Sequence, residues 1–164
     1  MIEYKIGRGT TAALSFSAAF RKARGGGSHE LPAVGQTTNV TNVGQGKFAS
    51  FTLDGTSSRC VAFGLLTCAG VIMLSQDAPT DVVVYHAPSG SVTGNALATM
   101  CRMLNNPAQD SLRAIYATPQ PWDSNYQGDA QGIEDFIGVA DTVCYFQNFG
   151  AVTFGINAIG FVGI

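Results

Sequence analysis

The side chains best suited to covalent chemistry are four cysteines, at positions 60, 68, 101 and 144, and two histidines, at 29 and 86. One pairing has a suggestive spacing. Cys68 and His86 stand eighteen residues apart, flanking an apolar segment, a polar turn through Asp77 to Asp81 and a second apolar strand. If the two segments lie side by side as a hairpin, thiol and imidazole meet near one end of a sheet. Such a pair is a nucleophile with its base, able to attack a carbonyl carbon. Ala69 and Gly70 follow the cysteine, and their backbone N–H groups are expected to approach the substrate oxygen on which negative charge develops.

Two other arrangements use the same chemistry. Cys60 has Arg59 beside it, a neighbour that favours a thiolate, and His29 follows Gly25, Gly26 and Gly27 in an accessible place for a base. An imidazole base also needs an acceptor for its other N–H. Thr52, Ser58, Asp81 and Ser89 are candidates by proximity in sequence, and a backbone carbonyl would serve as well. Ser89 is the preferred choice, in the Pro88-Ser89-Gly90 loop directly after the histidine. Asp110, Asp123, Asp129 and Asp141 read as solvated loop or cap residues. Trp122 and Tyr126, in the polar segment 118–132, are the expected substrate contacts, since exposed aromatics in such loops anchor protein partners. With no CxxC pair and only two histidines, neither a metal site nor a cofactor is expected.

These residues need a scaffold, and 164 residues suffice for one domain spanning 1–164 with a sizeable core. Charged residues make up only 12% of the chain, so Ser, Thr, Asn and Gln must supply much of the polar surface. Residues 1–59 carry seven basic and three acidic side chains, the remainder two and eight. Arg21, Lys22 and Arg24 are too sparse a basic cluster for a nucleic-acid reader, which is excluded on that ground. No apolar run is long enough to span a bilayer, and the start MIEYKIGRGT lacks a basic region followed by a continuous apolar core. The expectation is a soluble monomer without a cleavable signal, with secretion by a route that reads none left open.

Along the chain, 2–6 reads as a strand. Thr11 to Arg24 reads as a helix with cations in its last turn and a glycine stop. Residues 32–47 read as a long loop or weakly specified hairpin, and Phe48 to Leu53 as a strand. The nearly polarity-free run from Gly64 to Leu74 fits a core strand, or a buried helix with a strand after it. A strand-to-helix junction would set helix N–H groups against Cys68. Val82 to Tyr85 is the clearest strand. Thr93 or Asn95 caps a helix through Leu97, Met100, Cys101 and Leu104, stopped by Asn105-Asn106-Pro107. A short turn at 108–111, a strand at 112–117, a short helix at 133–139 and closing strands at 142–146, 151–154 and 158–162 follow. The sum is an α+β fold, strand-rich, a two-sheet sandwich flanked by about three helices.

The segment from Leu65 to Gly90, with Leu66-Thr67-Cys68 entering an apolar strand and Tyr85-His86 closing the next, resembles the cysteine-histidine glutamine deamidases. That group includes the chemotaxis receptor deamidase and the catalytic domains of cytotoxic necrotizing factor and Burkholderia lethal factor. The resemblance implies a β-sandwich flanked by helices. It also implies a toxin or effector that converts a partner protein's glutamine to glutamate through a Cys68 thioester, with His86 as base and acid and water completing the hydrolysis. A cysteine peptidase or acyltransferase with the same dyad, and a non-catalytic interaction or assembly domain, are the alternative expectations.

Overall fold

The computed structural model describes residues 2–6, 11–14, 29–30, 39–41, 43–52, 59–61, 67–78, 81–118, 124–138, 143–148, 152–156 and 159–163. Side-chain surroundings are described for 43–50, 67–78, 81–114, 116 and 124–138.

Strands form where apolar residues run together between breakers. Four of them, β5 (Phe48–Thr52), β7 (Cys68–Ser75), β8 (Asp81–Pro88) and β9 (Leu112–Thr118), make an antiparallel sheet in the order β5-β8-β7-β9. Strands β7 and β8 occupy its middle and are buried on both sides, which explains their almost unbroken apolar sequences.

Beyond β9 the sheet continues through β10 (Val143–Asn148), β1 (Ile2–Ile6) and β3 (His29–Glu30), all joined in parallel. The remaining strands, β2 (Thr11–Leu14), β4 (Asn39–Thr41), β6 (Arg59–Val61), β11 (Val152–Ile156) and β12 (Ile159–Gly163), pair in a second sheet ordered β2-β12-β11-β6-β4.

Helix α1 (Gly94–Met103) starts where the sequence says it should: Thr93 is the N-cap, accepting from the Ala96 backbone N–H at 3.2 Å. Asn105 and Asn106, with φ of 62° and 50°, turn the chain out of the helix, and the Asn106 N–H returns to the Cys101 carbonyl at 2.8 Å. A single 3-10 turn at Gln109–Ser111 then leads into β9. Helix α2 (Ser124–Ile137) ends at Gly138, whose φ of 69° lies in the left-handed region that favours glycine and whose N–H caps the Glu134 carbonyl.

Both helices cover one side of the four-stranded sheet. Leu97, Met100 and Leu104 from α1 and Tyr126, Ala130, Ile133 and Ile137 from α2 close over Ala69, Val71, Met73, Val83, Tyr85, Ala87, Ala114 and Tyr116. Phe48 stacks on Tyr85 at the β5 side, ring centroids 4.3 Å apart. Each fully buried Leu or Met stabilises by roughly 2 kcal/mol relative to exposure, so this interface is the main apolar anchor of the described residues.

Two expectations are corrected, and a third stands in its coarser form. Thr11–Leu14 is a strand paired with β12, not the start of a helix. Cross-strand pairing outweighs the helix preference of two alanines there, and residues 15–24 lie outside the described residues. The polar segment after 118 is not a loop to 132 and then a short helix, because α2 begins at Ser124. Tyr126, Ala130, Ile133 and Ile137 recur at helical spacing and are all buried, so their apolar stripe outweighs the two glycines between them. The fold is mixed α+β, with two α-helices among the described residues.

Candidate functional site

The register of β7 on β8 decides where the two reactive side chains lie. Gly70 is paired with His86 and Cys68 with Pro88, and side chains on a strand alternate between faces. Cys68, Gly70, Ile72 and Leu74 therefore share one face with Pro88, His86, Val84 and Val82. This is the face away from the helices. Cys68 and His86 are diagonal neighbours across the strand pair, a separation of roughly 7–8 Å between Cα atoms that an imidazole can reach across.

Gly70 lies between them and contributes no side chain. The His86 backbone N–H and carbonyl both bond toward β5, so its pairing with Gly70 is the close, non-hydrogen-bonded kind. The chain brings its imidazole closest to the residue that takes no room. Cys68 is 7% exposed and His86 8%.

His86 Nδ1 lies 2.8 Å from the Val43 carbonyl oxygen. A carbonyl only accepts, so Nδ1 carries the hydrogen, and in the neutral ring the lone pair resides on Nε2. This is the arrangement an imidazole base requires. The acceptor is a backbone atom, not the Ser89 hydroxyl. Ser89 is half-buried in the turn after β8.

Cys68 is the first residue of β7, a strand, and does not stand at a strand-to-helix junction. Immediately before it, the Thr67 carbonyl accepts from the Tyr126 hydroxyl at 2.9 Å. Tyr126 is thus a core residue that ties α2 to the start of β7, not an exposed partner contact. Ala69 points to the helix side, and Ala69 and Gly70 both lie inside the β7–β8 ladder. Trp122 lies outside the described residues, as do Asp123 and Asp141; Asp77, Asp81 and Asp110 are exposed.

The alternative pairings fare differently. The backbones of Cys60 and Cys144 lie in β6 and β10, with side chains outside the described residues. His29 lies in β3, at the far edge of the seven-stranded sheet, with β1, β10 and β9 between it and β7. Among the described residues no group of three or more His, Cys, Asp or Glu side chains is placed to hold a metal ion, and no helix is long and apolar enough to cross a membrane.

Asp129 is the polar residue that the sequence reading misplaced. It is 5% exposed, one turn along α2 from Tyr126. Its Oδ1 accepts from the Val92 N–H at 3.0 Å and its Oδ2 from the Gly90 N–H at 3.0 Å and the Tyr116 hydroxyl at 3.1 Å. One carboxylate thereby clamps the turn that follows the His86 strand onto α2 and β9. The available signal was its i+3 position from Tyr126, on the same helical stripe.

No protein-family model and no curated protein matches the sequence. Solved structures that are similar in outline include the following two. Neisseria meningitidis protein NMB0706, described as family-model DUF152, is 11% identical with a TM-score of 0.47, covering 77% of this chain and 76% of its own. The Bacillus licheniformis hypothetical protein YfiH is 8% identical with a TM-score of 0.34, covering 54% of this chain and 45% of its own. At that distance neither gives this chain a family or an activity. The deamidase resemblance read from residues 65–90 and the toxin role it implied do not stand: no family model and no curated protein of that group matches the sequence, and the two solved structures carry other descriptions.

Proposed function

We propose that the face carrying Cys68 and His86 is the working site of this chain, a thiol–imidazole pair that binds and activates a small electrophilic ligand. The observation that supports it is the shared face of the two residues, with His86 Nδ1 held by the Val43 carbonyl. Nε2 is then the nitrogen able to take the Cys68 proton; the resulting thiolate adds to an electron-poor carbon of a C=O or C=C group, the π pair moves to the far atom, and the imidazolium returns the proton there. Near-complete burial of both residues favours a small ligand over a bulky protein segment.

In this reading the second sheet is the layer across the site. Ile72, Leu74, Val82 and Val84 are almost wholly buried on the face turned away from α1 and α2. A stacked five-stranded sheet would account for that and would make the pair of sheets a sandwich.

Labelling with iodoacetamide at pH 7, mapped by peptide mass, tests the site. Cys68 is expected to label well before Cys101, and His86→Ala is expected to slow Cys68 by at least about tenfold while leaving Cys101 alone. A Cys68 as sluggish as Cys101 in the native protein, or one indifferent to loss of His86, would remove the reading.

A further inference from the structure

We infer that the turn from Val43 to Lys47 is a positioning device for His86, and that Gly46 is its pivotal residue. The inference rests on the reading of Cys68 and His86 as a reactive pair, and deepens it. The His86 N–H donates to the Lys47 carbonyl at 3.1 Å, while the His86 carbonyl accepts from the Gly46 N–H at 2.8 Å. Two consecutive residues thus oppose one residue of β8. That is a β-bulge whose first member is a glycine in the left-handed region, with φ of 73°.

The same glycine shapes the turn that precedes it. The Lys47 N–H returns to the Gly44 carbonyl at 3.0 Å, closing four residues with Gly46 third, the position where this turn type demands positive φ. The reversal carries Val43 back over β8, where its side chain is buried and its carbonyl accepts from His86 Nδ1. One five-residue segment therefore grips His86 at its backbone N–H, its backbone carbonyl and its ring. Rotating the imidazole, or moving its hydrogen to Nε2, sacrifices the ring contact. Bulges commonly re-aim a side chain in this way.

Gly46 can be probed cleanly because nothing lies within 4 Å of a Cβ built on it. A methyl group there meets no neighbour, so Gly46→Ala tests the backbone conformation alone. Alanine resists the left-handed region and asparagine enters it more readily.

The experiment uses the full chain and its Gly46→Ala and Gly46→Asn variants. Nitrogen NMR reads the His86 tautomer, iodoacetamide reads the Cys68 rate across pH, and melting reads the fold. Gly46→Ala is expected to populate the Nε2–H tautomer and to slow Cys68 labelling severalfold, and Gly46→Asn to restore much of both. An alanine variant that keeps the Nδ1–H tautomer and the original rate would overturn the inference. If that variant does not fold, the unsubstituted protein decides: a neutral ring with its hydrogen on Nε2 overturns the inference, and one on Nδ1 supports it. The tautomer reports on positioning even where Cys68 proves inert, so failure of the device and failure of the reactive-pair reading are told apart.

Discussion

Strands β7 and β8 bury both of their faces, yet the two faces are built differently. Toward the helices stand Ala69, Val71 and Met73 against Ala87, Tyr85 and Val83, interlocked with Leu97, Met100, Ile133 and Ile137. On the other face the four residues nearest the β9 start, Ile72, Leu74, Val82 and Val84, are aliphatic, while the opposite end carries Cys68, Gly70, His86 and Pro88. Alternation of side chains lets one strand pair serve both purposes. Cohesion comes from the helix side, and the reactive groups are confined to one end of the other side, where a missing side chain leaves room.

That division can be broken by finding a substitution that acts on both faces. The largest expected effect is from Met100→Ala, at a fully buried position of α1. It removes a side chain packed into the helix-facing core and should cost about 3 kcal/mol of stability, measured as a fall in urea midpoint. Labelling of Cys68 in molecules that remain folded should be unchanged. If it slows as much as it does on loss of His86, the faces are not independent.

Next in size is Asp129→Asn, which sharpens the comparison because Asp129 clamps the turn after His86 from the helix side. The amide keeps one accepting oxygen for the Gly90 and Val92 N–H groups and the Tyr116 hydroxyl, so at least one donor is left badly served. The expected loss is about 2 kcal/mol, again read from urea unfolding. Stability should fall more than the Cys68 rate does, since the ring of His86 is held by the Val43 carbonyl, in the turn before β5.

Which parts were legible in the sequence follows from how local their causes are. The helix cap at Thr93 or Asn95, the Asn105-Asn106-Pro107 stop and the Val82–Tyr85 strand each rest on a few adjacent residues; the structure chooses Thr93 and lengthens the strand to Asp81–Pro88. Strand pairing of Thr11–Leu14 with β12 depends on residues about 150 positions away, a contact that no local pattern encodes. Within the site, the common sheet end of Cys68 and His86 can be read from their spacing, while their common face follows from the register that pairs Gly70 with His86, which a one-residue slip would reverse. Val43 could not be named in the same way, because it acts through a backbone carbonyl that every residue possesses. Asp129 escaped because a carboxylate between two glycines resembles a solvated loop until the helical stripe around it is seen.

The smallest expected effect separates the two described thiols. Cys101 sits on α1, half-buried, its sulfur 3.9 Å from that of Met73, and burial pushes its thiol above the ordinary cysteine range. The folded chain therefore holds the Cys101 proton to higher pH than the unfolded chain does. With more protons bound when folded, stability must fall as pH rises through that interval. The contribution is fully present below the ordinary thiol value and is lost as pH passes the raised one. Urea midpoints of the protein and of Cys101→Ala, compared from pH 7 to pH 10, should show the unsubstituted chain losing stability more steeply at the alkaline end. The same thiol should resist iodoacetamide at neutral pH, where Cys68 labels. Parallel midpoints in the two proteins would mean that the helix-side sulfur is as free to ionise as an exposed one, and with it would go the chemical contrast drawn between the faces.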